Sequence, residues 1–113
     1  MIKDMEAARH NEERGAILYA LRQEVGAEMT SVRTLAMALN LAGMPMTHSG
    51  LQFSLGLLAD AGYVKIWRAR DVGAWRKDRL NDVRPEAILF ARLLPQGLAL
   101  IDGKSEPDPN VSF

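Results

Sequence analysis

The chain has 113 residues, enough for one domain and too few for two of ordinary size, with 14 basic against 14 acidic side chains and 48% hydrophobic residues. The absence of cysteine excludes disulfides, thiolate nucleophiles and sulfur-ligated zinc. No apolar run approaches the roughly 20 residues of a membrane span, and the opening MIKDMEAARHNEER lacks a signal-peptide core, so the expectation is a cytoplasmic domain that folds without metal or cofactor.

The first helix is expected to begin within residues 4–14 and to run to about Val25, because Ile17, Leu18, Leu21 and Val25 form one stripe at helical period, with Gly26 just past it. Ser31 is placed to cap a second helix whose inner stripe is Val32, Leu35, Ala36 and Leu39. Residues 40–45 (NLAGMP) read as a turn, broken by Gly43 and Pro45, with Met44 and Met46 as flexible fillers of the corner. Thr47 can cap a third helix running to Ala61, with Leu51, Leu55 and Leu58 inward and Gly62 as its stop. Residues 63–70 (YVKIWRAR) and 88–93 have the β-branched, aromatic and apolar character of paired strands. Pro95 suits the first turn of a short helix ending at Ile101. The segment KSEPDPNVSF, polar and with two prolines, reads as a frayed tail. The expected division is a helical extension over 1–14, one domain over 15–102 and a flexible tail over 103–113.

Charge is balanced in total but not along the chain. Residues 1–62 and 93–113 each carry net −2, whereas residues 63–92 carry +4, and a polyanion responds to local charge within a Debye length. The connection at residues 71–87 is long for a hairpin loop, which implies either function or a helical turn. Trp75 beside Arg76 and Lys77 is an aromatic among cations, able to stack on a base or simply to pack on the body of the domain.

Three segments carry a family resemblance. SVRTLAMALNLAG resembles the first helix and turn of a helix-turn-helix, and LQFSLGLLADAGYVKI is similar to its second helix and first wing strand. ARLLPQGLALI resembles the second wing strand and last helix. Together they cover roughly residues 15–102 and resemble the winged helix-turn-helix family. The nearest likenesses are small bacterial regulators of the arsenic-repressor and PadR type, and winged-helix proteins of Mu-like phages and prophages. The resemblance implies an α+β fold, mostly α, with a three-helix core, a two-stranded wing and a short C-terminal helix. It implies a non-enzymatic regulator that binds double-stranded DNA as a homodimer. Carried over by position, Thr47, His48, Ser49 and Gln52 face the major groove, while Arg68, Arg70, Arg76, Lys77, Arg79 and Arg84 supply wing contacts.

The third helix also supports another expectation. With its leucines inward, its opposite face carries Ser49, Gln52, Phe53, Gly56, Leu57 and Asp60, with no lysine or arginine. Phe53 and Leu57, joined by Trp75, would then form a protein-binding surface, making the chain a winged-helix interaction module. For catalysis the sequence offers little. Only His10 and His48 titrate near neutrality, no phosphate-cradling loop or nucleophile motif occurs, and His10 with Glu13 at i+3 lacks a third metal ligand.

Overall fold

A computed structural model describes residues 2–24, 28–74 and 83–113. Among these, helix α1 (Ile2–Gln23) is followed by strand β1 (Thr30–Ser31), helices α2 (Val32–Leu41) and α3 (His48–Asp60), strands β2 (Val64–Arg68) and β3 (Ile88–Leu93), and helix α4 (Pro95–Ile101). The fold is α+β and mostly helical. The three strands form one antiparallel sheet in the order β1-β3-β2, so β3 is central.

The helices form where apolar spacing and caps coincide. Ser31 Oγ accepts the Thr34 N–H at 3.1 Å and Thr47 Oγ1 accepts the Gly50 N–H at 3.1 Å, each satisfying one of the donors a helix start leaves unpaired. Each of these helices ends on a glycine with positive φ, Gly43 at +79° and Gly62 at +84°. The next residue then donates back into the helix, Met44 to Leu39 O and Tyr63 to Leu58 O. The core is the expected leucine set. Ile17, Leu18 and Leu21 of α1 meet Leu35 and Leu39 of α2 and Leu51, Leu55 and Leu58 of α3, closed over by Val64, Ile88, Ala91 and Leu100. Truncating any one of the fully buried leucines to alanine removes about 2–5 kcal/mol.

Several expectations need correction. Helix α1 starts at Ile2, ahead of the expected window, because residues 2–14 hold many good helix formers and neither glycine nor proline. Val25 and Gly26, the expected end of that helix, lie outside the described residues. Ala36 is exposed, on the rim of the α2 stripe. Strand β1 was invisible to periodicity: two residues, pairing Thr30 with Ala91 and Ser31 with Phe90, carry no pattern of their own. Strand β2 stops at Arg68 instead of continuing to residue 70. A register shift falls between Trp67 and Arg68, and a 3₁₀ turn follows (Ala69–Asp71), in which Asp71 accepts the Arg68 N–H at 2.7 Å. Strand β3 and helix α4 have the expected bounds.

The largest difference concerns the C-terminal segment, which lies along α1 as a strap. Val111 is buried, Ser112 N–H donates to Asn11 O at 3.0 Å, Asn11 Nδ2 donates to Pro109 O at 3.1 Å, and Arg14 Nε donates to Asn110 O at 2.8 Å. The contact is possible because residue 15 is glycine. A Cβ there would collide with the Ser112 carbonyl. Phe113 meets Tyr19 edge-on at 5.4 Å, and Tyr63 donates to Asp108 at 2.6 Å. That hydrogen bond, then burial and the carboxylate charge, push the Tyr63 hydroxyl up to about 12. Composition predicted a frayed end, since polar residues and prolines hide a single well-placed valine.

Candidate nucleic-acid interface

Helix α3 and the β2–β3 hairpin enclose an open groove of about 820 Å³. His48, Ser49, Gln52, Phe53 and Leu57 line one wall, and Arg68, Arg84, Glu86 and Leu89 line the other. Residues nominated from two distant parts of the sequence therefore meet at one place. Their roles differ from one another once the hydrogen bonds are traced.

Thr47 caps α3, its hydroxyl oxygen accepting the Gly50 N–H while its O–H can still donate outward. His48 and Ser49 are exposed at the first turn of the helix. Gln52 is not available to a base. Its amide Nε2 donates to Ile88 O at 2.8 Å, and its Oε1 accepts the Ile88 N–H at 2.8 Å. The reason lies in sheet register. Arg68 and Ile88 are partners whose neighbours, Ala69 N–H and Ala87 O, make the cross-strand bond at 2.8 Å. The peptide groups of Ile88 therefore turn away from β2. On that side β1 ends at Ser31, opposite Phe90, two residues short of Ile88, and the Gln52 carboxamide takes the place a longer β1 would have filled there.

Arg68 is likewise part of the scaffold, its Nη1 donating to Glu86 O at 2.6 Å across the hairpin. Arg84 is exposed on the groove rim, and Arg70 is exposed beyond it. The hairpin arms stay paired past the regular strands, where Arg70 N–H donates to Pro85 O at 3.0 Å. Trp75, Arg76, Lys77 and Arg79 lie outside the described residues. Phe53 exposes 68% of its surface and Leu57 39%, so the floor of the groove is apolar, while its rim carries Arg84 beside Glu86 on the hairpin and Asp60 on α3.

On α1, His10 Nδ1 lies 3.4 Å from Glu13, which Arg9 also approaches at 3.4 Å. Among the described residues no three His, Asp or Glu side chains gather as a metal site, and no helix is long and apolar enough to cross a membrane. One cluster escaped the sequence reading. Trp67 sits on the outer face of the sheet with Lys65 Nζ 4.9 Å and Arg92 Cζ 5.8 Å from its ring. Strand alternation in YVKIWRAR already put Lys65 and Trp67 on one face, but the partner Arg92 needed the register. No family model, curated protein or solved structure matches this chain.

Proposed function

We propose that the chain is a winged helix-turn-helix protein that binds duplex DNA through the first turn of α3 and the basic hairpin, in the manner of a small transcriptional regulator or phage protein. The element order α1-β1-α2-α3-β2-β3-α4, with β3 central, supports the fold. The observation that carries the function is the shared groove, which exposed His48 and Ser49 of α3 and Arg84 of the hairpin all line. A sugar–phosphate strand lying in it would meet a helix N-terminus on one side and a guanidinium on the other. His48 and Ser49 would reach the adjoining base edges, and Gln52 would act by holding β3 against α3. Arg76, Lys77 and Arg79, outside the described residues, would contribute through the net positive charge of residues 63–92.

The test is fluorescence anisotropy of a labelled mixed-sequence duplex at about 50 mM and about 200 mM salt. Several phosphate contacts imply an affinity loss of roughly two or more orders of magnitude between the two conditions. Replacing Arg76 and Lys77 together by glutamate should abolish most of the binding at either salt. Unchanged affinity in that variant would refute the hairpin assignment.

The apolar floor favours a second reading, in which the same groove holds a protein partner or a second copy of the chain. Phe53→Glu separates the two. If the floor is a protein interface, sedimentation will show self-association or partner capture lost while folding is retained. If the groove serves DNA alone, the oligomeric state will not change.

A further inference from the structure

The outer face of the sheet carries a chemistry that the α3 groove does not use. Val64, Ile66, Ala91 and Leu93 turn toward the core, so Lys65 and Trp67 of β2 and Phe90 and Arg92 of β3 turn away from it. Lys65 pairs directly with Arg92 and Trp67 with Phe90. Like charges directly opposite on antiparallel strands lower sheet stability. Among the described residues no carboxylate forms an ion pair with either, and only the indole, at 4.9 and 5.8 Å, offsets the repulsion. Two cations and two aromatic rings thus stand in adjacent rows. Beyond Phe90 opens a second groove of about 540 Å³, with Arg33 on its wall and His48 on the side it shares with the first groove.

We propose that this face binds single-stranded nucleic acid, with an unpaired base stacked on Trp67 and the flanking phosphates held by Lys65 and Arg92. Both halves of the cluster are then used. A duplex offers phosphates but keeps its base faces inside the stack, and an acidic peptide offers charge without a flat partner for the indole. The site lies apart from the duplex groove and does not depend on it.

Trp75→Phe leaves Trp67 as the sole tryptophan and therefore a direct reporter. Titration with an oligothymidylate of about eight nucleotides should quench its emission, with an affinity that falls as salt rises. Lys65→Gln with Arg92→Gln should weaken that binding about tenfold or more, with unchanged circular dichroism. An abasic oligonucleotide with the same number of phosphates should bind about tenfold more weakly than oligothymidylate. In the unmodified chain, anisotropy of labelled oligothymidylate against Trp67→Leu gives the same comparison without altering residue 75. Absence of oligothymidylate binding, binding that leaves the Trp67 emission unchanged, or equal affinity for the abasic strand would each overturn the proposal. Loss of duplex binding in Arg76→Glu/Lys77→Glu bears only on the α3 groove.

Discussion

Gln52 illustrates how much one side chain can do away from its apparent face. Its position on α3, opposite the leucine stripe, suggests a group pointing into solvent and free to read bases. Instead its amide stands in for a peptide group and completes the edge of β3. Gln52→Leu leaves both the Ile88 N–H and C=O without partners in a half-buried setting. It should cost about 1–3 kcal/mol, read as a lower urea midpoint at unchanged slope. A base-reading role would give a different result, with lost sequence discrimination at unchanged stability. Tyr63 makes a second residue-scale prediction. With its hydroxyl pushed up to about 12 by Asp108, the folded state holds that proton above the ordinary value near 10. The stabilising contribution is therefore complete below about pH 10 and is lost as pH rises toward 12. Asp108→Asn should bring the phenol titration, followed by ultraviolet absorbance, back toward 10. The caps at Ser31 and Thr47 were legible in sequence because cap and donor are three residues apart. The partners of Gln52 and Tyr63 lie 36 and 45 residues away, and no local pattern encodes them.

At the scale of elements, α1 is two helices in function. Its first turns expose Met5, Glu6 and Arg9, whereas its second half carries Ile17, Leu18 and Leu21 into the core. Where the two halves meet, Asn11, Arg14 and Gly15 receive the C-terminal strap. Gly15→Ala sets two effects against each other. Alanine favours the helix by about 1 kcal/mol, yet its methyl group displaces the Ser112 carbonyl. The expected outcome is near-native helix content together with faster proteolysis of residues 106–113, measured by limited digestion and mass analysis. A strap that remained protected would show that the backbone can shift to accommodate the methyl. Helices α2, α3 and α4 and strand β3 were readable because periodicity and punctuation agree in them. Strand β1 and the strap were not, since each is defined by what it touches.

Over the whole molecule, zero formal charge conceals a division of labour. The excess of positive charge is confined to residues 63–92, the stretch that supplies the hairpin, while the helical body and strap are mildly acidic. That polarity was legible from counting alone, as was the pairing of a basic hairpin with a helix whose outer face has no cation. The shared groove was not legible, because it depends on how α3 and β3 are held against each other. The central place of β3 has a consequence for the birth of the chain. Among the described residues, β1 and β2 each pair only with β3, and β3 is made after both. A ribosome that has released residues 1–74 has therefore delivered three leucine-lined helices and two strands, but no sheet to seal them. Strand β3 supplies the closure, so the nascent protein must keep its apolar faces from neighbouring chains until Leu93 emerges.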